Sequence, residues 1–343
     1  MLGRLARRLR GDGVVYEPKW DGFRCLAFCG ERGVDLRSRN DRPLSRYFPE
    51  LVDALTSSLD EPAVVDGEIV AVSGGAFDFA ALLARLHPAQ TRVERLSRET
   101  PARFIAFDLL ARGDEDLRAK PFATRREALE RLLADARPPL HLSPVTDDVE
   151  TARAWLEHHQ GAGIDGVIVK QREQPYEPGA RTMTKVKLEQ TADCVVAGCR
   201  LAADAPVIGS LLLGLYDDED LLRHVGVASS FTAKRRRELL EELAPHVTKL
   251  ASHPWAEGFL LAGSPMGRLK GAAGRWSAAE MELDWVPLAP LLVCEVAYDH
   301  IDVDRFRHPA RFKRWRPDRD AASCRFDQFS VPAHDPLEVL GAA

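Results

Sequence analysis

The sequence predicts an α+β domain built on largely antiparallel sheets, followed from about residue 190 by a smaller β-barrel domain. Three observations carry this. Strand-like and helix-like runs mix through residues 1–189 without regular βαβ alternation, which argues against a doubly wound parallel sheet. From Asp193 onward β-type runs dominate. The length, 343 residues, is enough for two cores. At 45% hydrophobic and 29% charged residues, the chain can bury those cores and keep a well-solvated surface.

In the first domain, Val14 to Tyr16 and Phe23 to Phe28 read as an opening hairpin bent at Pro18 and Gly22, and Val34 to Ser38 as a third strand. Phe48 to Leu59 has helical spacing. Ala63 to Val72 is a strand interrupted by Asp66 and Glu68. Phe77 to Leu86 reads as a helix with Phe79, Leu82, Leu83 and Leu86 inward. Arg103 to Leu110 is a strand broken by Asp108. Thr124 to Ala134 is expected to be a helix, with Thr124 as N-cap and Glu127 closing a capping box. A short strand, Leu140 to Val145, and a helix, Asp148 to His158, precede strands at Gly163 to Lys170 and Met183 to Leu188.

The second domain, residues 190–343, begins with Cys194 to Leu201, Leu211 to Tyr216 and Leu221 to Val227. A helix at Thr232 to Leu243 follows, then strands at Leu291 to Tyr298 and Arg311 to Arg316. Three strands, a helix, then further strands is the order of an OB-fold barrel; another small barrel or sandwich fits the count as well.

Composition excludes several classes. No stretch nears the roughly 18 apolar residues of a membrane span. The N-terminus carries Arg4, Arg7, Arg8 and Arg10 without an apolar h-region, so it is no secretory signal; a basic first helix accounts for these residues better than a transit peptide. Cys25, Cys29, Cys194, Cys199, Cys294 and Cys324 are scattered through apolar runs and form no CxxC pair, which points to reduced core thiols and a cytoplasmic setting. A net charge of −5 excludes a uniformly basic surface but not local nucleic-acid patches. Two such patches exist. Lys234 to Arg237 opens an amphipathic helix and reads first as its solvated face. Asp304 to Arg325 holds eight Lys/Arg against three Asp, with Trp315 among them, and reads as functional.

The chemistry gathers where charged residues interrupt apolar strands. Asp66 and Glu68 share one face of their strand, as do Lys185 and Lys187 of theirs. With Asp108, Asp165 and Lys170, they would suit a polyphosphate and a divalent metal, lysines to phosphate and carboxylates to metal. At the bend between the first two strands stands Lys19, a candidate nucleophile.

Lys19-Trp20-Asp21-Gly22-Phe23-Arg24 resembles the KxDGxR motif of the covalent nucleotidyltransferases: ATP-dependent DNA ligases, RNA ligases and capping guanylyltransferases. Six further stretches resemble that superfamily's other motifs in order: Ser38-Arg39-Asn40, Asp66-Gly67-Glu68-Ile69-Val70, Phe107-Asp108-Leu109-Leu110, Asp165 to Lys170, Lys185-Val186-Lys187 and Arg316-Pro317-Asp318-Arg319. The chain most resembles the minimal two-domain bacterial ATP-dependent DNA ligases of the C-type. The resemblance implies an adenylation domain followed by an OB-fold domain. Lys19 would attack the α-phosphate of ATP and carry AMP. Glu17 would read the adenine and Phe107 stack on it. Arg24, Arg39 and Glu68 would hold the ribose and its surroundings, with Glu68 and Asp165 serving Mg²⁺ or, alternatively, Mn²⁺. Lys170, Lys185, Lys187 and Arg181 join the nucleotide and phosphate contacts, and Asp318 and Arg319 would orient pyrophosphate. Two positions depart from the pattern: Asp165 stands where Glu is usual, and Arg319 where Lys is usual.

The substrate implied is nicked duplex DNA, with other repair proteins as candidate partners and a monomer expected. Only a short segment is expected ahead of the first strand, and no large extra DNA-binding domain is visible. RNA ligation or capping-type guanylyl transfer is the alternative within the superfamily. A non-catalytic OB-type DNA-binding protein is the alternative outside it, disfavoured by intact Lys19, Glu68, Lys185 and Lys187. An NAD⁺-dependent ligase would need an extra nicotinamide-binding region and a zinc module. A free lysine's pKa is about 10.4, so half-neutral Lys19 at pH 7 needs that value lowered by roughly 3.4, about 4.6 kcal/mol. Mg²⁺, Lys185 and Lys187 are expected to lower it, with Asp21 opposing.

Overall fold

The computed structural model describes residues 1, 3–6, 8–9, 11–73, 76–158, 163–203, 205–256, 285–302, 304–329 and 337–341. The chain divides into two compact units: Met1–Leu188 with Val331–Ala343, and Glu189–Ser330. The C-terminal segment thus belongs with the first unit, not with the second, which a simple division near residue 190 would have given it to. Val339 and Leu340 pack there beside Trp20, Val70, Ile105 and Ile164.

The first unit begins with β1 (Gly3–Ala6), β2 (Val14–Trp20), β3 (Phe23–Gly30) and β4 (Gly33–Ser38), then α1 (Pro49–Ser58), β5 (Ala63–Ser73) and β6 (Ala76–Phe77). It continues with α2 (Phe79–Ala84), α3 (Gln90–Glu99), β7 (Ala102–Arg112), β8 (Glu115–Asp116), α4 (Phe122–Leu132) and β9 (Leu140–Leu142), and closes with α5 (Val149–His158), β10 (Ile164–Gln171) and β11 (Met183–Val186). The arginine-bearing start is a strand, not the expected basic helix.

Two sheets result. One runs β1-β11-β10-β2; the other runs β4-β3-β5-β7-β8, with β6 on β5 and β9 on β7. Pairing is mostly antiparallel, as expected, but β1 with β11 and β7 with β9 run parallel. The opening pair is not a hairpin. β2 pairs with β10 and β3 with β4 and β5, so the Asp21-Gly22 bend carries the chain from one sheet to the other. Gly22 permits this because a Cβ there would stand 2.2 Å from the Ile69 carbonyl oxygen. Between the sheets Trp20, Val70, Ile105 and Ile164 are buried together.

Helices cover the outer faces. Leu51 and Leu55 of α1 and Ala128 and Leu129 of α4 pack on the larger sheet with Cys25, Ile69 and Phe104. Ala152, Trp155 and Leu156 of α5 pack on Tyr16, Val167 and Val169 of the smaller one. Each fully buried large side chain contributes about 1.5–3 kcal/mol. Asp148 caps α5 by accepting from the Thr151 amide at 3.0 Å.

Two local expectations need correction, and one helix went unpredicted. α4 starts at Phe122 behind Pro121, which has the extended backbone of an N-cap but makes no side-chain cap; Thr124 lies inside the helix and caps nothing. Leu86 lies beyond α2 and is 42% exposed, whereas Leu82 is fully buried. α3 was not anticipated: Val93 is its buried residue, too thin an apolar stripe to register as periodicity.

The second unit contains β12 (Gln190–Ala202), β13 (Ala205–Tyr216), β14 (Leu222–Ser229), α6 (Ala233–Leu243), β15 (Val286–Tyr298), the two-residue pair β16 (Ile301–Asp302) and β17 (Arg305–Phe306), and β18 (Ala310–Trp315). Five strands close on themselves in the order β12-β13-β14-β18-β15. Thr232 caps α6, which buries Leu239 and Leu243 in the barrel core beside Leu211, Leu213 and Val296. All six cysteines are buried free thiols. Among the described residues no helix is long and apolar enough to cross a membrane.

Candidate active site

β2 and β10 lie side by side, Glu17 opposite Ile168 and Pro18 opposite Val167. A bulge between Ile164 and Val167 interrupts their register. Gly166 makes that bulge, with φ +141° and no room for a side chain: a Cβ would stand 2.4 Å from the Val186 carbonyl oxygen. The bulge places Asp165 between two cations. Its Oδ2 accepts from Lys19 Nζ at 2.5 Å, and its Oδ1 lies 2.6 Å from Lys187 Nζ.

Beside Lys19 opens a cleft of about 490 Å³, a size typical of small-molecule sites. Its walls include Glu17, Lys19, Arg24, Arg39, Glu68, Phe107, Lys170, Arg181 and Lys185, so nine of the residues expected from sequence meet in one place. Asp165 and Lys187 join them through the Lys19 ion pair. Arg4 of β1 also lines the cleft and was not anticipated.

One end of the cleft is formed by Glu17, Phe107 and Lys170. Glu17 is 2% exposed, and its Oε2 pairs with Lys170 Nζ at 2.7 Å. Its Oε1 is buried without a hydrogen-bond partner, 3.9 Å from Arg126 Nη1. Burial pushes the Glu17 carboxyl up, and Lys170 works against it. The Phe107 ring lies 5.3 Å from Lys170 Nζ and 5.7 Å from the Arg24 guanidinium carbon. Arg24 in turn is clamped by Asp66, with Nε to Oδ1 at 3.0 Å and Nη2 to Oδ2 at 2.5 Å. Tyr176, which the sequence did not single out, donates to the same Asp66 Oδ2 at 2.8 Å.

Asp108 has no part in the cleft. A bulge at Phe107 breaks the alternation of β7 and pairs Asp108 with Asp66, whose face it shares; there Arg125 of α4 meets it bidentately at 2.7 and 2.9 Å. The expectation that Asp108 serves a phosphate-and-metal site is therefore corrected: it docks α4 on the sheet. Arg126, the neighbour of Arg125, lies behind Glu17. The signal for both arginines was present, since Phe122, Arg125, Arg126 and Leu129 follow helical spacing and all are buried.

The charge state of Lys19 also differs from expectation. Burial of the ammonium favours the neutral form, but Asp165, Glu68 and Asp21 outweigh it, and the pKa is raised in the ligand-free protein. Burial alone would lift Asp165, yet Lys19 and Lys187 hold it below the usual carboxylate range. Glu68 is pushed up to about 8, mainly by burial and against the pull of Lys19. The protein's own groups therefore do not prepare a neutral lysine.

Asp318 and Arg319 lie in the second unit, past β18. Hydrogen bonds from Arg316 hold the exposed Asp318 carboxyl at about 2, and Arg319 Nε lies 3.3 Å from Asp193. The basic stretch around them is largely paired. Arg311 and Lys313 share Glu189, Arg314 meets Glu295, and Arg325 meets Asp220. On α6, Lys234 pairs with Glu238 and Arg235 with Glu238 and Glu242, the pattern of a solvated helix face.

A lysine at the foot of a cleft lined by a buried carboxylate, a ring and several cations is the arrangement expected of a covalent nucleotidyltransferase. Comparison with known proteins narrows the class. The sequence matches the ATP dependent DNA ligase domain over residues 3–187 and the ATP dependent DNA ligase C terminal region over residues 204–319. It is 51% identical over 324 residues to DNA ligase C2 of Mycolicibacterium smegmatis, covering 94% of this chain and 91% of that protein. To DNA ligase C of Mycobacterium tuberculosis it is 48% identical over 337 residues, covering 97% and 93%. Among solved structures, a Lig E DNA ligase described as binding DNA with a minimal scaffold aligns with a TM-score of 0.54 at 17% identity, covering 92% of this chain and 98% of that one. The chain belongs to the ATP-dependent DNA ligase family.

Proposed function

We propose that this protein seals 5′-phosphate/3′-hydroxyl nicks in duplex DNA with ATP. The observation that carries the reading is Lys19 at the foot of the cleft, bridged through Asp165 to Lys187. In the first step the Lys19 amine, having lost its proton, attacks the α-phosphorus. A P–N bond forms, the bond to pyrophosphate breaks, and AMP stays on the lysine. A 5′-phosphate oxygen at the nick then attacks that phosphorus and releases the amine. Finally the 3′-hydroxyl attacks the activated 5′-phosphate, and AMP leaves.

Named side chains have distinct work in this sequence. Glu17 and Phe107, which both line the cleft, hold the base, Phe107 by its face. Arg24, Arg39 and Glu68 line the part of the cleft assigned to the ribose, and Lys170 holds Glu17. Lys185, Lys187 and Arg181 supply positive charge for the phosphates and stabilise the charge that builds as pyrophosphate departs. Asp165 accepts a hydrogen bond from Lys19 and fixes its amine toward the cleft.

Among the described residues no cluster of three or more His, Cys, Asp or Glu could cage a metal. Asp165 and Glu68 together fit Mg²⁺, with Mn²⁺ as the alternative, because such an ion needs only one or two carboxylates besides phosphate and water. When bound, the ion supplies positive charge that offsets the carboxylates around Lys19 and lowers its pKa.

The barrel of the second unit has its strands in the order first, second, third, fifth, fourth, with α6 between the third and fourth. That order supports an OB fold, with the first unit as the adenylation domain. Asp318 and Arg319 are then assigned to orienting pyrophosphate, and residues 305–325 and 234–237 to DNA phosphate contact.

The deciding experiment labels the protein with α-labelled ATP, GTP or NAD⁺ and chases with nicked DNA, a nicked RNA–DNA hybrid or a diphosphate RNA end. Label from ATP alone, removed by nicked DNA, is expected. Lys19→Ala should abolish labelling, and a Lys19→Ala variant that still takes label sinks the nucleophile assignment.

A further inference from the structure

The floor beneath Lys19 is shared with a segment distant in sequence. Lys19 is followed on β2 by Trp20, and Asp165 is preceded on β10 by Ile164. These two neighbours pair across the strands, Ile164 opposite Trp20, beyond the bulge from Val167 and Pro18. The Asp21 amide donates to the Gly163 carbonyl at 3.0 Å and closes the pairing. The 2.5 Å contact between Lys19 and Asp165 therefore hangs on a short stretch of register that the bulge separates from the rest of β10.

That stretch is held by packing. Trp20 and Ile164 are buried with Val70 of β5 and Ile105 of β7. Phe77 lies against them, its ring centroid 5.8 Å from that of Trp20. Trp20 Nε1 donates to Ser143 Oγ at 3.0 Å and fixes the indole. Further cover comes from residues 337–341, which the chain reaches only after passing through the second unit. One 3₁₀ turn, Glu338–Leu340, ends at Gly341 in the left-handed region, φ +64°. It sets Val339 and Leu340 against the cluster and leaves Glu338 exposed. Val339 also packs against the cluster of Val14, Tyr16, Val167 and Val169, so the turn joins two clusters that each contain residues of β2 and β10. Neither Val339 nor Leu340 is among the residues that line the cleft.

We propose that residues 337–341 are a strap that completes the Lys19 site, with Val339 and Leu340 as positioning residues. They hold Trp20 against Ile164, and through these two neighbours they hold Lys19 against Asp165. The strap meets the site with apolar side chains, so it contributes geometry and neither charge nor nucleotide contact. A reacting group misplaced by about 1 Å loses on the order of a hundredfold in rate. The inference rests on the ligase reading of Lys19.

The experiment uses the full chain and two readouts: single-turnover labelling of Lys19 by α-labelled ATP, and amide hydrogen exchange followed by mass spectrometry. In Leu340→Ser the labelling rate at saturating ATP should fall at least about tenfold, while the ATP concentration for half the maximal rate stays within about twofold. Leu340→Met, which keeps apolar volume, should restore most of the rate. Exchange in Leu340→Ser should quicken at residues 19–23 and 163–166 and stay unchanged in α1. Leu55→Ala, which removes a buried side chain of α1 outside both clusters, controls for stability. Assayed well below its unfolding temperature, it should label at the wild-type rate.

Leu340→Ser protein that labels like wild type, or is slowed no more than Leu55→Ala, overturns the proposal. So does unchanged exchange at residues 19–23 and 163–166, a readout that needs no ATP. If Leu340→Ser fails to fold, Val339→Thr, which keeps the shape of the side chain and buries a hydroxyl, decides by the same readouts. Wild-type protein that takes no label from ATP overturns the ligase reading instead, and the exchange result then decides the strap.

Discussion

Lys19 shows what a single position can and cannot do for itself. Its pattern of neighbours identified it in the sequence as the nucleophile, yet the folded site surrounds it with Asp165, Glu68 and Asp21 and raises its pKa. The cations expected to lower that value include one the protein must acquire. His141 is a simpler titration. Burial, then Arg103 at 3.1 Å, lowers it to about 4. The unfolded chain, with a histidine pKa of about 6.5, binds more protons between those values. The neutral ring's contribution is therefore complete above about pH 6.5 and lost as pH falls toward 4, by up to about 3 kcal/mol. Urea unfolding of wild type and His141→Gln at several pH values checks this. The variant should lack that acid slope, and parallel curves would remove His141 from the account.

At the scale of elements, the site depends on two places where only glycine fits. Gly22 lets the chain leave one sheet for the other directly after Lys19, and Gly166 makes the bulge that brings Asp165 to Lys19. Gly166→Ala would need both a disfavoured φ and space occupied by the Val186 carbonyl. It should cost at least about 2 kcal/mol and slow adenylylation more than it alters ATP binding. Thermal unfolding together with single-turnover labelling separates the two effects; normal labelling would show that the bulge does not set the Asp165–Lys19 contact. Buried Asp108 and Arg125 illustrate the limit of motif reading. A bulge at Phe107 sets Asp108 beside Asp66, and only the position of α4 told that Arg125, not a phosphate, would meet it.

Across the whole molecule, the net charge of −5 conceals a basic stretch whose cations are mostly paired within their own unit. Nick binding should remain steeply salt-dependent, but not by the full count of arginines, because a paired cation releases fewer counterions. Glu189→Gln frees both Arg311 and Lys313. Binding to a nicked duplex at low salt should tighten, and the slope of log K against log salt should steepen by about one to two. Fluorescence anisotropy between about 50 and 200 mM salt measures this. An unchanged slope would show that these two residues do not meet phosphate.

The sequence by itself determined which charged residues gather about Lys19. Lys19, Glu68, Asp165, Lys185 and Lys187 stand out because a charged residue inside an apolar strand is costly unless a site requires it. It also determined most strand positions, since period-two patterning is local. Only the tertiary structure decided what those charges face. Whether Asp108 meets a phosphate or Arg125, whether β2 and β3 pair with each other or with separate sheets, and whether Arg126 stands behind Glu17 all depend on elements distant in sequence. Hydrogen bonds and charge pairs act across space, and no local pattern records their partners. The carboxylates around Lys19 and the arginine behind Glu17 come from different strands and a helix, so the electrostatics of the site belong to the fold.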